Sequence, residues 1–567
     1  MKRSWRNVGL ALFTVALVTG SLFGSRLEAL GDDARQTLRL YTELVTVAQE
    51  RYGTEVAYED LVHASIQGML RTLDPHTSFL PPRAYDGMRE RQQSSFFGLG
   101  IVVSMRNGQL TVITPIDGTP ASRVGLRAGD VISAIEGEST DKMSLDEAVD
   151  KLKGPKDTSV HITIVRRGLD EALEIDVTRA EIPQNTVRQA YMLDAGTGYI
   201  QISDFNRATG EEVANALARL RTQGMERLLV DLRNNGGGLL DQAILVSDQF
   251  LPDGATIVET KGRTRDSFQT YRATDRYPEL GVPVVVLVNR GTASAAEILA
   301  GAIQDHDVGV VVGTPTWGKG LVQTVYNLSY GAGLALTTAK YYTPSGRLIQ
   351  RDYSSFYDYY NYDPVSGLPE DGAAEGSESA PAVRNGEAYY TDTGRAVYGG
   401  GGIAPDVTID HEDISTFSQH LLAHNAFFDY AVDFHNRQPV KERDWKPADD
   451  ALARFAEWLV ASDVAGREQI DEGFADPATR EFATLQIRAE VHNAAFGQEA
   501  RHRVLVQGDR QVREALAQFE RARDLLAHRQ AAAAAGELGG SPSRPAREAT
   551  AESAPEVPPV TRPGSDG

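Results

Sequence analysis

Cysteine is absent from the 567 residues, which excludes disulfides, thiolate metal sites and a cysteine nucleophile together. Basic residues are in deficit. Lys and Arg number 57 against 78 Asp and Glu, a formal net charge of -21, and this argues against a nucleic-acid binder, which needs a basic face to neutralise phosphates. No HExxH or comparable ligand set occurs, so neither a metal nor a cofactor is expected. No histidine stands in a recognisable triad motif, and no long-period repeat is present. Size is not lacking: a chain this long, with 41% hydrophobic residues, divides into three or four units with cores of their own.

Lys2, Arg3 and Arg6 precede an apolar run from Val8 to about Gly24, and acidic Glu28, Asp32 and Asp33 follow. That is the pattern of an export signal. The run is close to the lower limit for a spanning helix, and Thr19 and Ser21 offer only a weak cleavage site, so cleaved signal and retained anchor both stay open. The expected location is the periplasm or cell envelope, with membrane contact through residues 1–28 if they are kept.

Leu, Tyr, Val and Ala recur at helical spacing from about Leu30 to Glu90, interrupted by the turn-rich LDPHTSFLPP, which predicts a small helical module over 29–94. From 95 to 180 short β runs such as LTVITPI and SVHITIVRRG take over, with one helix opened by a Ser144/Glu147 capping box. Strands and helices then alternate: GYIQISDF and a helix opened by Thr209/Glu212, RLLVDL and the turn NNGGG, VPVVVLV and GTASAAEILAGAIQD, then VGVVVG. Apolar strands each followed by a helix predict an α/β sheet covered on both faces, within a core spanning 181–410. A polar, tyrosine-rich segment at about 353–385 reads as an insertion. Residues 411–535 are helical, with Val512, Leu516, Phe519 and Leu526 on one apolar stripe, and 536–567 have the composition of a disordered tail.

GTPTWGKG, from Gly313 to Gly320, matches a phosphate-binding loop until its last position. The Ser or Thr that would ligate magnesium is Gly320, and a β-type pattern follows where a helix is required, so Lys319 needs another role. Ser294 in Gly291-Thr-Ala-Ser-Ala-Ala-Glu297 has the spacing of a helix cap with Glu297. A serine at a helix start also stands beside free N–H groups that can hold an oxyanion. Its hydroxyl needs a base: His306 in QDHD reads as a solvated loop residue and His76 sits in the DPHTS turn. Lysine can replace histidine if it is neutral when it takes the proton, and bringing a lysine from about 10.4 to near 7 takes roughly 5 kcal/mol, which apolar burial can supply.

These motifs resemble the carboxyl-terminal processing (tail-specific) serine peptidases. Their nucleophile motif GSASASEI stands here as GTASAAEI, their lysine motif GKGxVQ as GKGLVQ, and the family separation of 25 residues lies between Ser294 and Lys319. The resemblance runs from about Leu73 to Val407 and implies Ser294 as nucleophile, Lys319 as general base and Gln323 as the side chain orienting the lysine. Family DLRNNPGG is DLRNNGGG here, which implies oxyanion donors at Gly237, with Gly238 as the neighbouring candidate, and at Ala295. Two family serines are Thr292 and Ala296 here, and neither change removes a proposed catalytic group. Asp305 matches a family aspartate at the helix end.

FFGLGIVV, followed by Gly125-Leu-Arg-Ala-Gly-Asp130 and the Ser144 helix, resembles a PDZ domain, with Gly98, Leu99 and Gly100 as its carboxylate loop. Arg123 and Arg127 read as solvated. The expected whole is a multidomain α/β protein: a peptidase core with an inserted β-rich PDZ domain and flanking helical regions. Its expected partners are proteins with free carboxyl-terminal tails, cut near those tails without a cofactor. An adaptor or activating protein and a homo-oligomer are compatible with this reading and required by none of it. The rival from another class is a PDZ scaffold on an inactive peptidase shell, which would lack Ser, Lys or Gln at the three positions.

Overall fold

The computed structural model describes residues 34–277, 280–353, 387–410 and 412–538. The expected signal or anchor lies outside them, as do nearly all of the tyrosine-rich insertion and of the C-terminal tail. No helix among the described residues is long and apolar enough to cross a membrane. The chain forms two compact units, one of residues up to Gly87 with Gln323–Thr337, the other of Met88–Val322 with the residues from Thr338 on.

The first unit holds a helix over 34–51 and the helix Tyr58–Arg71, whose first turn carries Glu59 and Asp60 and whose last turn carries Arg71, each complementing the helix dipole. It is not purely helical as the spacing predicted. After Asp74, Ser78–Leu80 is a strand paired antiparallel with Gly333–Ala335. The turn between is closed by the Asp74 carboxylate, which accepts from His76 N (2.8 Å), Thr77 N (2.8 Å) and Thr77 Oγ1 (2.6 Å). A partner strand more than two hundred residues away leaves no local trace in the sequence.

The second unit contains three packed parts. In the first, the strands Ile101–Arg106, Gln109–Pro115, Val131–Ile135, Ser159–Val165 and Leu173–Thr178 lie side by side in that order. SVHITIV alternates as a half-buried strand must, with Val160, Ile162 and Ile164 inward. The helix Leu145–Leu152 packs there, opened by Ser144, whose N–H donates to Glu147 Oε2 at 2.8 Å.

The second part is a six-stranded sheet ordered Val187–Met192, Thr197–Ile202, Arg227–Asp231, Val284–Val288, Gly309–Gly313 and Val407–Thr408. Its first pair is antiparallel and the others parallel. Val284, Val286 and Val288 meet the helices Thr209–Thr222, Leu240–Ser247 and Ala295–Asp305, while Val285 and Leu287 point to the opposite face. That face is closed by Arg510–Leu516 and Phe519–Ala535. The stripe of Val512, Leu516, Phe519 and Leu526 is therefore split between two helices. The Thr209/Glu212 box does not form: Thr209 is already helical, and the Glu212 carboxylate accepts instead from Thr186 N and Val187 N, each at 2.8 Å.

The third part is a helical cluster built from Thr416–Ala423, Ala426–Arg437, Ala451–Ala461 and Pro477–Phe496 around Phe427, Phe455, Leu459 and Ile487. It touches the β-rich part, where Arg167 Nη1 meets Asp433 at 2.9 Å and Arg106 lies 4.2 Å from the Phe428 ring centre.

Candidate active site

At the carboxyl end of Val284–Val288 the chain turns through Asn289 to Ala293 and starts the helix Ala295–Asp305. Thr292 is buried in that turn, its hydroxyl donating to Leu232 O at 2.8 Å. Ser294, half-buried, sits between turn and helix with φ 57° and ψ -116°, a region that side-chain-bearing residues rarely occupy. Such backbone strain costs about 1–3 kcal/mol and persists only where the surroundings enforce it. A serine on a strained strand-to-helix turn is the arrangement that lifts a nucleophilic hydroxyl clear of a sheet. The next amide, Ala295 N–H, belongs to the first helical turn, where no intrahelical carbonyl can satisfy it.

The NNGGG turn packs on this elbow. Ala293 N donates to Asn235 O at 2.8 Å, and a Cβ placed on Gly237, where φ is 98°, would fall 2.7 Å from Ser294 Cβ and 2.9 Å from Ala295 N. Only glycine allows that approach. The Gly237 N–H itself donates to Asn235 Oδ1 at 2.8 Å, so the amide is engaged in this structure. Gly238 packs on Phe205, whose carbonyl oxygen would lie 2.2 Å from a Cβ there.

Lys319, also half-buried, arrives on the loop that follows Gly309–Gly313. After the loop comes the strand Leu321–Asn327, not the helix a phosphate-binding loop opens. Serine and lysine backbones are joined by two side chains. The Glu297 carboxylate, fully buried, accepts from Ser294 N (2.7 Å), Gly318 N (2.7 Å), Lys319 N (2.9 Å) and Thr316 Oγ1 (2.5 Å). The Tyr341 hydroxyl faces Ser294 O at 3.1 Å and also bonds Lys319 O. Burial pushes the Glu297 carboxyl up to about 7, against the pull of its four donors. Glu297 reads from sequence as a helix cap only, and Thr316 and Tyr341 carry no signal. The Ser-x-x-Glu spacing is the one available clue.

Gln323 belongs to the first unit, where its Nε2 donates to His76 O at 2.7 Å. At the far end of the serine helix, Asp305 is paired with Arg347 at 2.7 Å, both fully buried. His306 is not the solvated residue expected. It is buried, with Nδ1 2.8 Å from Asp392 and Nε2 2.7 Å from Thr256 O. Burial lowers its pKa, but the Asp392 contact and the Thr256 carbonyl outweigh that, and the net displacement is upward. A polar loop motif hid a histidine that docks the chain returning after the insertion.

Gly98, Leu99 and Gly100 are all buried at the start of the edge strand Ile101–Arg106. Gly100 has φ 78°, and a Cβ there would fall 2.3 Å from Thr119 Cβ. Part-buried Ile101, Val103 and Met105 pack with part-buried Leu145 on the same core, while Arg123 and Arg127 are exposed. Among the described residues no cluster of three or more His, Asp or Glu is placed to hold a metal.

An α/β sheet whose strained serine elbow adjoins a lysine loop, joined to a PDZ-like module, defines a serine-peptidase class of protein. The profile of peptidase family S41 matches residues 196–354, and a PDZ-domain profile matches 111–166. The carboxy-terminal-processing protease of Bartonella bacilliformis is 40% identical over 321 residues, 55% of this chain and 70% of that protein. The carboxyl-terminal-processing protease of Synechocystis sp. is 42% identical over 301 residues, 51% of this chain and 68% of that protein. The solved photosystem II D1 C-terminal processing protease is 28% identical over 65% of this chain and 92% of that chain, at a TM-score of 0.33. The chain belongs to peptidase family S41, among the carboxyl-terminal processing proteases.

Glu297→Gln tests the carboxylate bridge. A glutamine turns an NH₂ group toward N–H donors, so cleavage should fall by at least about tenfold. Stability separates the charge effect. The folded pKa, about 7, lies above the ordinary 4.5, so between these pH values the unfolded chain releases a proton that the folded one keeps. Relative to Glu297→Gln, the wild type should therefore lose up to about 3 kcal/mol as pH rises across that window, and lose no more above it. Denaturant unfolding of both proteins across the window reads this out, and parallel pH profiles would contradict it.

Proposed function

We propose that the protein is an exported endopeptidase that captures free carboxyl-terminal tails on its PDZ domain and cleaves its substrates near them with a Ser294/Lys319 dyad. The observation that carries the reading is the Glu297 bridge, which brings the Ser294 and Lys319 amides onto one carboxylate at 2.7 and 2.9 Å. Ser294 Oγ attacks the peptide carbonyl while Lys319 Nζ takes its proton and passes it to the leaving amine. Lys319 then takes a proton from water, whose oxygen attacks the ester, and the proton returns to Ser294 as the acid product leaves. The oxyanion is held by Ala295 N–H and, once its bond to Asn235 yields, by Gly237 N–H, with Gly238 as its neighbour. Gly98, Leu99 and Gly100 receive the tail carboxylate. The basic and apolar N-terminal segment supports export to the cell envelope, cleaved or anchored.

Ser294→Ala should abolish peptide cleavage and leave tail binding intact. Lys319→Arg keeps the charge but cannot lose its proton at working pH, so it should be nearly as inactive as Lys319→Ala. Proteolysis assays alongside tail-peptide binding measure both, and a Ser294→Ala protein that cleaves at the wild-type rate refutes the dyad.

Amidating a substrate's carboxyl terminus removes the charge that backbone N–H groups would bind, and should weaken cleavage. Rates for matched free-acid and amidated substrates decide this. Equal rates over a range of concentrations would leave the PDZ loop without a part in tail capture.

A further inference from the structure

The helical region after 411 lies outside both profile matches, which end at 354 and 166. Two of its side chains nevertheless reach the DLRNNGGG motif. Arg233 is gripped from both sides: its Nη2 lies 2.7 Å from Asp231 Oδ2, while its Nη1 lies 2.7 Å from Asp509 Oδ2 and 2.9 Å from Gln511 Oε1. Asp231 is buried at the end of its strand and also accepts from Arg233 N at 3.0 Å and Tyr199 OH at 2.9 Å. The Tyr199 hydroxyl is in turn 3.1 Å from His502 Nε2. Each outer partner is itself anchored. Asp509 Oδ1 caps Arg510–Leu516 through Val512 N at 3.2 Å, and Gln511 Nε2 donates to Ile409 O at 2.8 Å.

Arg233 is the residue from which the catalytic turn departs. Directly after it Asn234 N donates to Asn289 Oδ1 at 2.9 Å, Asn235 O receives Ala293 N at 2.8 Å, and Gly237 closes on Ser294. We propose that Asp509 and Gln511 are positioning residues of the peptidase centre: acting through Arg233, they hold the turn 233–238 against the Ser294 elbow, so the C-terminal helices set catalytic geometry. Without Asp509, Arg233 keeps its pair with Asp231, only two residues away on its own strand end, and its bond to the C-terminal helices is reduced to the neutral Gln511. The inference rests on the Ser/Lys reading above.

Asp509→Asn is the decisive variant, because asparagine caps a helix about as well as aspartate while replacing the charged acceptor that faces Arg233 with an NH₂ group. The full-length protein is assayed beside Asp509→Ala and Ser294→Ala. The readouts are kcat and KM on an unfolded protein substrate, the rate of Ser294 labelling by a fluorophosphonate, and circular dichroism through a thermal melt. Asp509→Asn should lower kcat and labelling together by about tenfold or more, since displacements of about 1 Å reach a hundredfold. KM should stay within about twofold, because the tail-binding loop is untouched. Wild-type kcat and labelling in a folded Asp509→Asn protein overturn the proposal, as does a loss of activity that only follows a loss of folded protein. Should Asp509→Ala fail to fold, Asp509→Asn alone decides. Wild-type cleavage by Ser294→Ala would refute the dyad, whereas an inactive Ser294→Ala beside a fully active Asp509→Asn refutes the positioning role alone.

Discussion

One buried carboxylate ties the serine elbow to the lysine loop. Glu297 has no exposed surface and collects three N–H groups and a hydroxyl from two segments that are not neighbours in the sequence. An isolated charge at such depth would cost several kcal/mol, and charge-assisted hydrogen bonds are what make it tolerable. Every one of those donors is fixed by the chain rather than by water. In the folded protein these donors oppose the cost of burying the charge only while the serine elbow and the lysine loop both stand where they are, so the carboxylate's bonds and the site's geometry depend on each other. The Tyr341 hydroxyl completes the arrangement from the opposite polarity, meeting the carbonyls of the same two residues whose amides Glu297 receives.

This division matters for chemistry because the clamps act on backbone. The Glu297 carboxylate and the Tyr341 hydroxyl engage main-chain groups of Ser294 and Lys319, so neither clamp uses the hydroxyl or the amine that the proposed dyad requires. It also explains how a residue can hold φ 57° and ψ -116°. The strain, of about 1–3 kcal/mol, is opposed by the Glu297 bond at the elbow's amide and by the Gly237 contact against its Cβ. A side chain at 237 would have to displace the serine itself.

Motifs that act through their own backbone were legible in the sequence. The glycine turns, Ser144 with Glu147, the alternation of SVHITIV and the continuous apolar run VVVLV each encode a local conformation, and the structure places a turn, a cap, a half-buried strand and a doubly covered strand there. What was not legible depends on pairing at long range. Ser78–Leu80 was hidden in a helical stretch because its partner strand begins at Gly333. His306 looked solvated because Asp392 comes only after a long insertion. Thr209 and Glu212 had cap spacing, but Glu212 found better donors at Thr186 and Val187, which local spacing cannot foresee. The same limit made Glu297 look like a cap: its bond to Ser294 N is local and readable, whereas its bonds to Gly318 and Lys319 exist only once the sheet has formed.

The sheet's second face shows why the C-terminal helices cannot be regarded as an appendage. Tyr199, Leu229, Val285, Leu287, Val310 and Val312 point away from the serine helix and are covered by Val512, Ala515, Phe519 and Ala522. Strands such as Val284–Val288, apolar on both sides, have no stable state with one face in water. The strand that ends at Asp231 and the strand that leads to the Ser294 elbow are neighbours in this sheet, in parallel register through Asp231 and Leu287. Removing the cover would therefore loosen the two strand ends from which the NNGGG turn and the elbow both depart. Apolar cover holds the strands flat against the helices, and the Asp231, Arg233 and Asp509 chain adds directional bonds at the one strand end where the catalytic turn begins. Hydrophobic burial is non-directional, whereas charge-assisted hydrogen bonds hold their partners at defined distances and angles.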